Sequence, residues 1–217
     1  MRSLLRRLTP RSGPVLHSLK GVWTLRPDDC PCDLHFVEWM EQRSARDEVV
    51  FHFGTGSHHH VGIKLGESGL AVSVMGITAT RKEYDTYIDL VTHRPELARS
   101  YCVYFGDIYT ANAALLPTFD VVTLFHLCEF RTEENDAYGA LTDLELTRLF
   151  TERTRPGGHL LFYTGSYAYA QAETVITEWA ASSPVEEVEG FKTLRVFRKV
   201  GAGVPADLLP GNWITGR

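Results

Sequence analysis

No stretch of the sequence approaches the roughly 20 consecutive apolar residues that a membrane-spanning helix requires, so no membrane span is expected. Cysteine is scarce. Cys30, Cys32, Cys102 and Cys128 are too few and too unevenly spaced for a disulfide framework in a chain of 217 residues. Reduced thiols and a cytoplasmic setting are the expectation, with Cys102 and Cys128, which lie in apolar runs, acting as small core residues. An excess of basic residues is also missing. The net charge of -5 argues against an extended nucleic-acid surface, because phosphate binding depends on clustered Lys and Arg. Acids are absent from the first 26 residues, which carry Arg2, Arg6, Arg7, Arg11, Lys20 and Arg26. That bias fits an organelle transit peptide and equally a basic, irregular arm, so an organelle is the alternative setting. There is no long apolar segment of a secretory signal, no internal repeat and no low-complexity tract.

What is present is ordinary globular composition, 44% hydrophobic and 23% charged, arranged as alternating strands and helices. Leu34, Phe36, Val37 and Met40 recur at helical spacing and predict an amphipathic helix over 33–42. It would lie just ahead of the first strand, covering the ligand mouth. Strands are expected at 49–53, 70–77, 101–105, 119–127 and 159–164, and helices at 58–65, 81–91, 143–154 and 168–181. Arg155-Pro156-Gly157-Gly158 carries turn chemistry. Segments 185–189 and 193–199 sit close enough for an antiparallel hairpin. Apolar strands alternating with helices imply a parallel sheet covered on both faces, with ligands at the carboxyl ends of its strands. The chain divides into a basic arm with its covering helix (1–46), an α/β domain (47–200) and a tail (201–217).

The central stretch is Val49–Gly62, VVFHFGTGSHHHVG. It reads as strand, tight turn, helix. Gly54 and Gly56 permit positive φ and close backbone approach by a ligand. Ser57 is the candidate cap of the following helix, whose free N–H groups would attract an anion.

With VVFHFGTG, the order of LAVSVMGI, YFGD (104–107), FDVV (119–122), RPGG (155–158) with HLLFY, and the closing TLRVFRK resembles the class I S-adenosylmethionine-dependent methyltransferases. The resemblance spans Val49 to Lys199. It implies a three-layer Rossmann-like sandwich: a seven-stranded, mostly parallel sheet with an antiparallel C-terminal hairpin. It also implies S-adenosylmethionine as cofactor and a small-molecule methyl acceptor. The cofactor would be held by the turn His52, Gly54, Thr55, Gly56, by Thr78 on the ribose side and by Asp107 beside the adenine. Three positions depart from the family pattern. His52 stands where an acid is usual, His58 replaces the third glycine, and Thr78 replaces the ribose-binding acid. Two readings therefore stand: an active methyltransferase, and a methyltransferase-like domain that has lost catalysis and serves as a binding or partner subunit. A homo-oligomer or protein partner stays open.

For chemistry, His126 at the end of the fourth strand is the first candidate base and His58 the second, because imidazole titrates near neutral pH. His58, His59 and His60 are consecutive and cannot all face one ion from a helix. Tyr163, Tyr167 and Tyr169, with Trp23, Phe36 and Trp39, are candidates for an aromatic acceptor pocket. Cys30-Pro31-Cys32 with His35 lacks the usual zinc spacing and a second Cys pair, so no metal site is assigned. A nicotinamide dehydrogenase is disfavoured: the third glycine is missing, and no Tyr-x-x-x-Lys pair occurs. An N/D-P-P-Y/F motif is likewise absent, which disfavours methylation of nucleic-acid base amines.

Overall fold

The computed structural model describes residues 21–201; the basic segment before them and the expected tail after Gly201 lie outside the described residues. Strands β1 (Val49–Phe53), β2 (Ser73–Thr78), β3 (Tyr101–Phe105), β4 (Phe119–Thr123), β5 (Thr154–Tyr163), β6 (Val185–Glu187) and β7 (Leu194–Lys199) form one seven-stranded sheet, ordered β3-β2-β1-β4-β5-β7-β6. The first five are parallel, and β7 runs antiparallel between β5 and β6. The three-layer arrangement and the closing hairpin are as the sequence predicts. Helices α1 (Cys32–Gln42), α2 (His60–Glu67), α3 (Arg81–His93), the single turn α4 (Glu133–Asp136), α5 (Asp143–Arg153) and α6 (Tyr169–Ser182) supply the outer layers. No helix among the described residues is long and apolar enough to cross a membrane.

Strand alternation decides which side chains meet which layer. Val50, Val74, Val121, Leu161 and Val196 pack with α1 and α2 residues such as Phe36, Met40 and Val61. Their neighbours Phe51, Val122, Leu160, Phe162 and Phe197 pack instead with Leu146, Phe150, Ile176 and Trp179 of α5 and α6. His52 shares the parity of Val50, and so falls under α1 rather than at the rim of the sheet. The turn between α5 and β5 is closed by Lys199. Its buried ammonium donates to the carbonyls of Thr151 (2.8 Å) and Thr154 (2.7 Å), at the negative end of the α5 dipole.

Three local expectations are corrected. Arg155-Pro156-Gly157-Gly158 does not form a turn: it lies inside β5, where Gly157 adopts φ +81° and the β4–β5 register shifts between Phe119 and Val121. Two steps on β4, from Phe119 to Val121, face five on β5, from Thr154 to His159, and the chain absorbs the three extra residues as a bulge. Helix α2 starts at His60, later than expected, because His59 takes a left-handed φ of 47°. Ser57 does not cap it; its hydroxyl donates to the Trp23 carbonyl instead (2.9 Å). Strand β4 ends at Thr123, so Leu124–Leu127 already belong to the loop that carries His126.

Candidate functional site

The sheet order reverses between β1 and β4, which opens a crevice at their carboxyl ends. A cavity occupies it. Its floor and walls include Gly54 and Gly56 after β1, Thr78 and Glu83 after β2, Asp107 and Tyr109 after β3, and His126 and Glu129 after β4. Trp23, Cys30, Cys32 and Asp33 close it from the N-terminal side.

Gly54 and Gly56 both have positive φ, +86° and +56°. A Cβ on Gly54 would stand 3.1 Å from His126 Cδ2; one on Gly56 would stand 2.5 Å from His58 Nε2 and 3.0 Å from the Trp23 carbonyl oxygen. Both positions thus require glycine for conformation and for space. The same distances show that two imidazoles and the Trp23 backbone line the turn. Trp23 bridges the cavity: its carbonyl accepts from the Ser57 N–H at 2.7 Å, and its own N–H donates to Glu83 Oε1 at 2.9 Å.

The expected cofactor residues divide. Asp107 lines the cavity, with its carboxylate accepting from the Tyr109 N–H (2.9 Å), Asn135 Nδ2 (3.0 Å) and the Tyr138 hydroxyl. A carboxylate offers about four lone-pair sites, so one stays open. Thr78 lines the cavity too, but its hydroxyl is committed, donating to Glu83 Oε2 at 2.7 Å and accepting from the Thr80 N–H at 3.1 Å. Sequence reasoning missed Glu83. It enters from the first turn of α3, and its buried carboxylate reaches Thr78 at the end of β2. Thr78 and Trp23 use two of its lone-pair sites and leave two. Burial holds its pKa above the usual carboxylate range, opposed by those two hydrogen bonds. The signal was available as an acid just inside the helix after β2, but it belongs to a helix and not to the strand end.

His52 and Thr55 are corrections. His52 is buried, hydrogen-bonded through Nδ1 to Thr123 Oγ1 (2.9 Å) and stacked on Phe36 beneath α1; it is not part of the cavity lining. Burial pushes its pKa down to about 3 and keeps it neutral. Thr55 is buried and directs its methyl against Gly76, where an added Cβ would meet it at 2.5 Å. Strand parity sends His52 to the α1 side, and the turn sends Thr55 inward.

The histidines also separate. His59 is structural, bonded through Nδ1 to the Tyr101 hydroxyl and through Nε2 to Thr86 Oγ1, both at 2.9 Å. His58 faces the cavity, but its Nδ1 accepts from the His60 N–H at 3.2 Å. The proton then sits on Nε2, and the lone pair a base needs is spent. Burial lowers its pKa to about 4.

His126 differs. Its Nδ1 faces Glu129 Oε1 at 3.1 Å, and that oxygen also accepts from Ser166 Oγ at 2.6 Å. The carboxylate fixes the Nδ1–H tautomer and leaves the Nε2 lone pair free. Burial alone would lower the His126 pKa; the hydrogen bond and charge of Glu129, with Cys30 and Asp33, raise it instead. Beside it, Cys30 and Cys32 stand with sulfurs 3.6 Å apart. Cys30 is pulled down to about 6 by the hydrogen bond from Cys32. Asp33 is buried next to them and pushed up to about 7 by burial. His35 is not with the cysteines: its Nδ1 bonds Thr193 Oγ1 at 2.8 Å. Of the expected aromatic pocket, Trp23 and Tyr167 line the cavity, whereas Phe36, Trp39 and Tyr163 are core.

No protein-family model matches the sequence, and no curated protein does. The fold has many counterparts among solved structures. The CcbJ methyltransferase from Streptomyces caelestis superposes with a TM-score of 0.57 at 14% identity, over 82% of this chain and 94% of that one. A putative rRNA-methylase from Clostridium thermocellum gives 0.55 at 12%, over 83% and 100%. The cyclase SpnF gives 0.51 at 15%, over 82% and 66%. At such identities the likeness speaks for architecture and not for reaction. With the sheet order, the antiparallel β7 and the crevice described above, it identifies the chain's fold as that of the class I S-adenosylmethionine-dependent methyltransferases.

Proposed function

We propose that this protein is an S-adenosylmethionine-dependent methyltransferase acting on a small molecule. The observation that carries the reading is one continuous cavity with the right chemistry in the right order. A glycine turn lies at its centre, a carboxylate with two open lone-pair sites on the β2 side (Glu83), an acid beside Ile108 and Tyr109 on the β3 side (Asp107), and an imidazole with a free lone pair on the β4 side (His126). The fold is compatible with the methyl-transfer part of the reading, since methyltransferases such as CcbJ stand among its structural counterparts.

The donor set fits the cofactor. Glu83 would accept from the ribose hydroxyls, Asp107 from the adenine amine, and Gly54 and Gly56 would let the methionine part approach the backbone. When bound, the cofactor supplies an electrophilic methyl on a sulfonium. This chain's residues do the rest. The cavity walls hold the acceptor in line and exclude water. His126 Nε2, with Nδ1–H anchored on Glu129, takes the acceptor's proton. Trp23 and Tyr167 offer flat apolar surface to the acceptor.

The Ser57–Trp23 bond and the crowded glycine turn favour a second reading, a domain that has kept the fold and lost cofactor binding. Thermal unfolding with S-adenosylmethionine and S-adenosylhomocysteine separates the two. A ligand at about 100 times its Kd adds about 2.7 kcal/mol of stability. A clear rise in Tm with either is expected; no rise at millimolar concentration would reject the methyltransferase reading.

A further inference from the structure

We propose that Cys30, Cys32 and His126 bind a single zinc-class divalent ion at the acceptor end of the cavity. One ligand atom from each lies within 4.8 Å of the others, and all three residues line the cavity. The sulfur separation of 3.6 Å is close to that demanded by one tetrahedral ion: two Zn–S bonds of about 2.3 Å put their sulfurs about 3.8 Å apart. The imidazole ligand atom lies within 4.8 Å of both sulfurs, against a separation of about 3.5 Å for Zn–N and Zn–S bonds on one tetrahedral ion, so a small side-chain rotation closes the site.

The surroundings carry the second argument. Metal-bound histidines characteristically donate their other ring N–H to a carboxylate, which orients the ring and strengthens the ligand. His126 does this toward Glu129, and Glu129 is itself held by Ser166. The free nitrogen is therefore Nε2, already fixed in its tautomer. Cys30 is set by the turn that bonds its N–H to the Arg26 carbonyl (2.8 Å), and Cys32 by the start of α1. Spacing rules miss the site because its third ligand arrives from the loop after β4, far along the chain.

Ligand softness selects the ion. Two thiolates and an imidazole favour zinc over magnesium or calcium. Both sulfurs bind as thiolates, any thiol protons passing to solvent, and the two thiolates neutralise the ion. Among the described residues the cluster has three ligands, so the fourth position is left to water or to a group entering from the cavity, the pattern of catalytic and not structural zinc. The ion and a proton compete for the same Nε2 lone pair. In the loaded protein the ion, in place of the imidazole, lowers the pKa of an acceptor bound to it. Only that consequence rests on the methyltransferase reading; ion binding does not.

The test uses the full chain, reduced and freed of metal by chelation, titrated with Co²⁺ and followed by absorption. One equivalent should produce thiolate-to-cobalt charge transfer with tetrahedral d–d bands, and Zn²⁺ should displace it. Cys30→Ser and Cys32→Ser should each abolish the charge-transfer band, and Glu129→Gln should weaken binding about 10–100-fold. Cys102→Ser, on exposed β3, should change nothing. If the serine variants do not fold, wild-type protein gives the answer: Zn²⁺ should protect Cys30 and Cys32, but not Cys102, from alkylation read by mass. Absence of the band in reduced wild type, survival of the band in the double serine variant, lack of protection, or a Cys30–Cys32 disulfide that persists under reducing conditions overturns the proposal. A cobalt band without a thermal shift by S-adenosylhomocysteine would remove the methyltransferase reading and leave the ion site standing.

Discussion

Gly56 is the position at which the geometry of the cavity makes its sharpest claim. Gly56→Ala incurs two separable costs. The first is conformational. At φ +56° an L-residue loses roughly 1–2 kcal/mol relative to glycine. The second is steric. The new methyl would stand 2.5 Å from His58 Nε2 and 3.0 Å from the Trp23 carbonyl. The imidazole can swing away, giving up its bond to the His60 N–H; the Trp23 carbonyl is backbone and must shift with its strap. Overpacking of this kind costs about 1–3 kcal/mol. Gly69 provides the control, since it has a φ of +71° and nothing within 4 Å of an added Cβ. Gly69→Ala should carry the conformational cost alone. Urea unfolding should therefore place Gly56→Ala about 1–3 kcal/mol below Gly69→Ala. In thermal melts the gap should be roughly 2–4 °C for each kcal/mol in a protein of this size. Any shift produced by S-adenosylhomocysteine should vanish in Gly56→Ala and persist in Gly69→Ala. Equal destabilisation by the two substitutions, with ligand response intact in both, would refute the idea that this turn is a tight-fitting cradle.

Glu83→Gln removes the charged acceptor shared by Thr78 and Trp23; at about 1.5–3 kcal/mol for a charge-assisted bond, S-adenosylhomocysteine affinity by calorimetry should fall about one to two decades, and an unchanged Kd would remove Glu83 from the ribose role. Asp107→Asn should weaken binding of the same ligand, whereas retained affinity would mean the adenine lies elsewhere. His126→Ala should cut methyl transfer to a panel of hydroxyl, thiol and amine acceptors by about 10²-fold or more with cofactor affinity within about twofold; normal turnover would exclude it from the site. Lys199→Met removes the charged donor shared by the carbonyls of Thr151 and Thr154, leaving Thr151 with the Thr154 N–H alone, and should cost about 1–3 kcal/mol in urea unfolding. A loss below about 0.5 kcal/mol would show that water replaces the ammonium at no cost.

The architecture was legible because it rests on period and punctuation. Val49–Phe53, Tyr101–Phe105 and the 185–199 hairpin announce themselves by apolar runs and turn residues, and each appears where expected. Register was harder. RPGG has the composition of a turn, yet a strand with a bulge absorbs it, because β4 offers Phe119 and Val121 as partners on either side of the shift. The site was legible at its backbone and not at its side chains. Gly54, Gly56, Asp107 and His126 face the cavity as the motif order implied. His52 does not, because two-residue alternation binds it to Val50 and hence to α1; the motif comparison supplied an expectation that the strand's own parity contradicts. The pairing of Cys30 and Cys32 with His126 lay beyond reach, since nothing local in the sequence says that the loop after β4 folds back over residues 30–32.

The end of β2 lacks an acid, and a buried carboxylate, Glu83, stands beside it in the cavity. In sequence, Thr78 is a loss: a hydroxyl cannot accept from both ribose oxygens. In space, Thr78 donates to the buried Glu83 carboxylate that α3 brings to the cavity. Under the methyltransferase reading, the acid for the ribose sits on the first turn of the next helix, where the N–H groups at the helix start also favour an anion. The same step explains the strap, since Trp23 N–H takes the other carboxylate oxygen and its carbonyl takes Ser57, tying the β1 turn to the β2 side of the cavity through one residue. Thr78, Glu83, Trp23 and Ser57 thus form one hydrogen-bonded unit, and a motif scan that scores Thr78 alone does not see the carboxylate that the unit holds.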